Sequence, residues 1–356
     1  MPLARLRPHL TAKRLTLAAS FGMAVAVMAV ACGSPVTPAV VKPLTQPVTV
    51  QAPVPPSSGP FIDLPPTASP AVSSSPLLEV VAPPKWLPSG KGMWIYLPAV
   101  TEGGNVASIV AKAKAAGLTH LWVRMGSAWD GFNVAPFVDH LLPAAHAAGI
   151  KVIGWDFPKL EPVEADVQRA LTMIRHAAPS GDRIDAFSAD IETRSEGTRL
   201  TPEAARAYGA ALRAGVGDAY PLIATVPRPS KERAGFPYGD VTASYDAIAP
   251  MVYWLNRQPD TDVAGALRDL ASFGKPILPV GQAYDGSAEG GRKGVPPPDE
   301  LLRFMSSAKA NGAASVSFWS WQHANDAAWS AIGDAPDFRV APGAKLISIA
   351  PDKPSA

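Results

Sequence analysis

From Trp86 onward the chain alternates two patterns. Short apolar runs rich in β-branched and aromatic residues are followed by longer Ala-rich stretches with apolar residues at i, i+3 and i+4. The runs predict eight strands, over residues 93–97, 119–124, 151–157, 184–190, 222–226, 247–253, 276–282 and 314–320. The stretches between them predict helices such as 105–116, 134–148, 164–178, 202–214, 262–273 and 299–310. Gly117, Gly149, Gly274 and Gly312 follow four of these helices, where a left-handed cap favours glycine, and Thr201-Pro202-Glu203 and Pro298-Asp299 read as helix starts. Eight βα units over about 250 residues match a (β/α)8 TIM barrel in length and order. Unit five is irregular, because a long insert from Pro227 to Tyr245 leaves little room for a full helix. An open doubly wound sheet is the competing arrangement, but no GxGxxG follows the first strand to give it a nucleotide loop.

Ahead of the barrel the pattern changes twice. Residues 15–31 form an uncharged apolar run behind Arg5, Arg7, Lys13 and Arg14 and end in Ala29-Val30-Ala31, which is the arrangement of an export signal. As a transmembrane anchor the run is at the short limit for crossing about 30 Å of hydrocarbon, and Ser20 and Gly22 weaken it. Residues 33–88 then hold 15 of the chain's 39 prolines among Val, Ser, Thr and Ala, with almost no charge. Proline removes backbone donors and favours extended polyproline II, about 3.1 Å per residue, so this segment reads as a semi-stiff spacer that does not fold alone. It either holds the folded part away from a membrane or is a linker with no geometric role. The organisation expected is a signal peptide over 1–31, a lipidated cysteine and Pro-rich linker over 32–88, the barrel over 89–340 and a tail over 341–356.

The formal net charge is +2 at pH 7, and without the four leader cations it is −2. The barrel therefore carries no cationic excess for phosphates, and no nucleic-acid partner is expected. One cysteine, Cys32, leaves no internal disulfide and no Cys-based zinc or iron–sulfur site. His120, His140, His146, His176 and His323 are scattered without HExxH or paired spacing, which favours packed or solvated rings over metal ligands. No GxSxG nucleophile elbow occurs. Neither a cofactor nor a metal is expected.

In a barrel the chemistry stands at the C-terminal ends of the strands. Those ends offer Trp94 and Tyr96 on strand one, Arg124 on two, Trp155 and Asp156 on three, and Asp190 and Glu192 on four. Strand six supplies Tyr253 and Trp254, seven supplies Gln282, and eight supplies Trp319 and Trp321. Aromatics beside a few acids suit a sugar, which presents an apolar C–H face for stacking and a hydroxyl edge for hydrogen bonds; any single aromatic could equally cap the barrel core. Along Asp185-Ala186-Phe187-Ser188-Ala189-Asp190-Ile191-Glu192, period-two alternation puts Ser188, Asp190 and Glu192 on one side and Phe187, Ala189 and Ile191 on the other. Two acids this close cannot both ionise cheaply in a partly dry site, so one holds a proton near neutral pH and becomes a general acid. Glu192, the outer one, is better placed to reach a glycosidic oxygen. The Gly-rich loop from Tyr284 to Gly294, with Glu289, Arg292 and Lys293, is either a rim over the cleft or an exposed surface loop.

Two resemblances add to this reading. Ala29-Val30-Ala31-Cys32 resembles the lipobox of bacterial lipoproteins, which implies acylation at Cys32 and a membrane-anchored protein at the cell envelope, with simple secretion or an uncleaved anchor as alternatives. The strand-four segment is similar to the DxxDxDxE signature of family 18 glycoside hydrolases, the chitinase-like (β/α)8 enzymes, with Asp185, Asp190 and Glu192 matching and Ser188 in place of an aspartate. The resemblance implies that Glu192 is the proton donor and that Asp190 holds the substrate's N-acetyl group, whose oxygen attacks the anomeric carbon in place of an enzymic nucleophile. Met251-Val252-Tyr253 resembles the family's MxYD, which implies that Tyr253 contacts the acetamido group, with Trp254 replacing the aspartate. Trp319 resembles the tryptophan on which the reacting sugar sits. Strand three lacks the family's SxGG. Family 25 muramidases share an Asp-x-Glu here, but their first strand bears an aspartate that Trp94-Ile95-Tyr96 does not supply. The expected partner is a cell-envelope polysaccharide with N-acetylated sugars, to be hydrolysed or, since Ser188 and Trp254 each remove an expected acid, only bound.

Overall fold

The computed structural model describes residues 85–336 and Phe338. The leader, Cys32, the spacer up to residue 84 and the tail from 341 lie outside the described residues.

Eight parallel strands close into a barrel: β1 (Gly90–Ile95), β2 (His120–Ser127), β3 (Lys151–Phe157), β4 (Ala186–Asp190), β5 (Leu222–Pro227), β6 (Ala247–Val252), β7 (Val280–Gln282) and β8 (Ser315–Trp319). Each pairs with the next, and β1 closes the ring by pairing with both β2 and β8. A two-residue strand, Gly131–Phe132, folds back antiparallel on the end of β2. Outside stand α1 (Val106–Ala115), α2 (Ala135–Ala147), α3 (Val163–Arg175), α4 (Pro202–Val216), α5 (Tyr238–Thr242), α6 (Pro259–Leu270), α7 (Pro298–Ala310) and α8 (Asp326–Asp334). The eightfold alternation in the sequence is thus the (β/α)8 barrel it predicts.

The local chemistry explains most boundaries. Asn105 caps α1 by accepting the Ser108 N–H (3.0 Å), and Thr201 caps α4 by accepting that of Ala204 (3.1 Å). Gly117, Gly149, Gly274 and Gly312 all take positive φ just past their helices. The largest departure from the expected strands is β7, three residues long rather than seven. Pro276 and Pro279 have no N–H to give the ladder, so upstream the segment meets the sheet through an isolated bridge of Ile277 to Ile248, with the Leu278 N–H on the Ile248 carbonyl (2.8 Å) and the Ala314 N–H on the Ile277 carbonyl (3.1 Å). Unit five carries a five-residue helix, α5, in place of a full one.

Alternation along the strands sorts side chains into two cores. Met93, Ile95, Leu121, Val123, Val152, Phe187, Ala189, Leu222, Ala224, Ile248 and Phe318 face the helices. Trp94, Trp122, Ile153, Trp155, Ala186, Ile223, Ala247, Ala249, Leu278 and Val280 fill the barrel. The filling is lopsided: β1 to β3 contribute tryptophans, while β4 and β6 contribute alanines, so bulk on one wall is matched by small residues on the other. At the N-terminal end the His120 ring lies so close to Gly92 that a Cβ there would come within 2.2 Å of its Nε2, leaving glycine the residue that fits.

Candidate active site

β4 delivers the central acid. Ser188, Asp190 and Glu192 emerge on the barrel side while Phe187, Ala189 and Ile191 pack against the helices, as the period-two reading expects. Asp190 is only 7% exposed, and its Oδ1 has no hydrogen-bond partner. Burial raises its pKa to about 7; the Glu196 and Asp156 charges push the same way and Arg124 pulls against them. The Ile191 N–H donates to the Thr225 carbonyl (2.9 Å), which carries the register one residue past the strand and brings out Glu192, partly buried. Burial, the Asp190 charge and the adjoining Glu196 carboxylate hold Glu192 well above the ordinary carboxylate range. Both acids can therefore carry a proton near neutral pH.

Around them the mouth is aromatic. Tyr253, half-buried, meets Tyr284 edge-on at 5.3 Å, and burial followed by the charges of Tyr284, Asp190 and Glu192 holds its hydroxyl protonated. Across the mouth Trp319 and Tyr96, both half-buried, lie 5.5 Å apart, and Trp155 stands 5.6 Å from Trp319 and 6.4 Å from Tyr96. The Arg124 guanidinium sits 5.1 Å over the Tyr96 ring and pairs with Asp130. A cleft of about 290 Å³ continues on the β1–β2 side, lined by Tyr96, Leu97, Val100, Arg124 and Asn133.

Among solved structures, the chain is similar to the endo-1,4-beta-mannanase of Rhizomucor miehei, with a TM-score of 0.50 at 9% identity over 65% of this chain and 86% of that one. It is also similar to a family 18 chitinase of Flavobacterium johnsoniae, with a TM-score of 0.50 at 11% identity over 69% of this chain and 93% of that one. The likeness is one of fold. No family model and no curated sequence matches the chain. Residue roles within this barrel therefore rest on geometry.

That geometry brings together Asp190, Glu192, Tyr253, Tyr96, Arg124 and Trp319, and corrects the other expectations. Trp155 is 2% exposed and is barrel filling packed against Tyr96 and Trp319. Trp94 is 1% exposed, stacked on Trp122 (4.5 Å) with its N–H on Ser317 Oγ (2.9 Å); it is barrel filling beneath the mouth. Asp156 turns to α3, where Arg169 Nη2 meets it at 2.8 Å, so its charge is spent on a buried ion pair. Trp254 faces the helices, packs on Phe304 (5.4 Å) and donates its N–H to Glu300 (2.7 Å), out of reach of any ligand in the barrel. Trp321 also leaves the mouth: it packs on Trp329 (4.6 Å) and donates to Glu102 (2.8 Å). The Gln282 amide is engaged with the Leu255 N–H (2.7 Å) and the Tyr284 carbonyl (3.1 Å), and so fastens two loops instead of facing a substrate. Asp185 sits at the N-terminal end of β4, accepting from Lys151 (2.7 Å), His146 (2.9 Å) and the Val152 N–H (2.8 Å), a structural post far from the mouth. Ser188 Oγ, where the resemblance expects an acid, pairs with Thr225 Oγ1 (2.8 Å).

Two residues at the mouth, Glu196 and Trp129, were not anticipated, while Tyr284 and Glu289 lie on the loop read as a rim over the cleft or an exposed surface loop. Glu196, Glu289 and Tyr284 surround the acids and Tyr253; the Trp155 Nε1 is buried without a hydrogen-bond partner. Trp129, 61% exposed, stands on the turn after β2, where ending the strand at Arg124 hides it from a list of strand ends. The loop from Tyr284 packs closely: a Cβ on Gly286 would come 2.7 Å from Leu255, and Arg292 ties to Glu300. The histidines have local roles. His120 is buried with its pKa lowered by burial to about 3, His146 lies between Asp182 and Asp185, His176 bonds Asp139 (2.7 Å), and His323 bonds Ser320 (2.7 Å). Among the described residues no group of three or more His, Cys, Asp or Glu side chains could hold a metal ion.

Proposed function

We propose that the protein is an exported, lipid-anchored glycoside hydrolase acting on an N-acetylated glycan of the cell envelope. The observation that carries this reading is a pair of proton-retaining acids, Asp190 and Glu192, beside the Tyr253 hydroxyl in an aromatic-walled mouth. Glu192, the more exposed of the two, gives its proton to the glycosidic oxygen as the C1–O bond breaks. The acetamido oxygen of the same sugar attacks C1 in place of an enzymic nucleophile. Asp190 accepts the acetamido N–H through its free oxygen, the Tyr253 hydroxyl donates to the acetamido carbonyl, and water, deprotonated by Glu192, completes hydrolysis. Trp319 and Tyr96 offer ring faces to the apolar side of the sugar. Acylated Cys32 anchors the chain, with the Pro-rich segment as spacer.

The test is release of reducing ends from peptidoglycan or chitin oligomers by the wild-type protein and by Glu192→Gln. Loss of turnover in the variant is expected, and equal turnover by both would remove the assignment. A second reading, a non-catalytic glycan-binding protein on the same fold, is favoured by one observation: Ser188 and Thr225 bond each other where the resemblance expects an acid beneath Asp190. Binding without Glu192-dependent cleavage across a panel of glycans would select it.

A further inference from the structure

Trp129 is a large indole left 61% exposed on a turn that is otherwise tightly fixed. Ser127 Oγ accepts the N–H groups of Trp129 (3.2 Å) and Asp130 (3.1 Å) and donates to the Asp130 carboxylate (2.9 Å), which also holds Arg124. Arg124 in turn covers Tyr96 and acts on the charge of Asp190. The turn is thus tied to the centre of the site. The indole packs on Phe157 (5.1 Å) at the end of β3 and reaches across to Gly197, where a Cβ would come 3.3 Å from the ring. Gly197 closes the short turn that begins at Thr193, directly after Glu192, so the ring stands next to the acid-bearing loop. A lone exposed aromatic needs no explanation. This one is braced on two sides, adjoins the loop bearing Glu192 and Glu196, and keeps most of its surface in water at the mouth of a site already lined with sugar-sized rings.

We infer that Trp129 is a stacking platform for a second sugar unit, placed outside the unit at the acids, so that the ligand is a glycan chain of several units and not a single terminal sugar. The inference rests on the reading of the site as a glycan site. It gives Trp129 a specificity role, with the indole meeting the C–H face of a unit beyond the bond being cleaved.

The test measures affinity in a Glu192→Gln background, where ligands are not consumed, for N-acetylglucosamine, for its β-1,4-linked oligomers from dimer to hexamer and for soluble peptidoglycan strands. Wild-type release of reducing ends is followed in parallel. The expected result is affinity that rises with chain length. Adding Trp129→Ala lowers affinity for the dimer and longer chains by about tenfold and leaves the monosaccharide unaffected, Trp129→Phe restores most of the loss, and all forms melt alike because the ring is mainly exposed. If Trp129→Ala binds long chains as tightly as its parent while Glu192-dependent cleavage is present, the platform is wrong and the glycan site stands. If no oligomer or strand binds and the wild type releases no reducing ends, both fall together.

Discussion

At the strand starts, Asp246 accepts from Lys85 (2.6 Å), Arg213 (2.7 Å) and the Leu222 N–H (2.8 Å), and Asp185 is likewise surrounded by donors, whereas at the strand ends Asp190 leaves one oxygen unpartnered and Glu192 stands beside Glu196. On β4 the same residue type meets opposite electrostatics five positions apart, at Asp185 and Asp190. Satisfied carboxylates at one end secure the sheet; frustrated ones at the other hold protons and free oxygens for a ligand. The contrast teaches where this fold stores stability and where it gives some up for chemistry.

The sharpest way to break the contrast is Glu192→Gln. It should lower turnover of a glycan substrate by roughly 100- to 10,000-fold while the melting temperature holds or rises, because a strained acid has been neutralised. A fall in melting temperature would put Glu192 with the structural acids. Trp254→Ala should do the reverse. With the indole wholly buried against Phe304, truncation should cost about 3–5 kcal/mol in a denaturant titration and leave the glycan affinity of the folded fraction unchanged. Asp246→Ala removes three hydrogen bonds at the strand starts and should cost roughly 1–3 kcal/mol, again without touching activity.

The mildest test separates the two ends by pH. Although burial alone would raise it, Asp246 is held below its usual pKa by the Leu222 N–H, Lys85 and Arg213, so its stabilisation is present above about pH 4 and fades as pH falls through its folded value. Asp190, raised to about 7, binds its proton more tightly folded than unfolded, so stability declines as pH climbs from about 4 to 7 and levels off beyond. Melting temperature against pH should therefore flatten on the acid side in Asp246→Asn and between pH 4 and 7 in Asp190→Asn. An unchanged neutral-side slope in Asp190→Asn would show that this carboxyl is not the buried proton store.

The barrel was legible because its signals are local and repeated: eight apolar runs, helical spacing between them and glycines where φ turns positive. The site was legible on β4, where alternation was followed residue by residue. The same rule applied to β3 and β6 turns Asp156 and Trp254 outward, since Trp155 and Tyr253 point in. Depth was not legible. Trp94 and Tyr96 share a face, but whether a ring ends as filling or as wall depends on how much volume the opposite strands leave, which no local pattern reports. Nor were the partners that occupy Gln282 and Trp321, because Leu255 and Glu102 are distant in sequence and reach them only through the closed fold.

The brevity of β7 weakens the foot of the wall and not its rim. The prolines at 276 and 279 stand at the strand start, where Ile277 makes an isolated bridge to Ile248, whereas Val280 to Gln282 pair with neighbours and the Ala283 N–H reaches the Trp319 carbonyl (2.8 Å). Breathing of the wall should concentrate at that foot. The rim beside Tyr253 keeps its seams, so a ligand meets a mouth of fixed width.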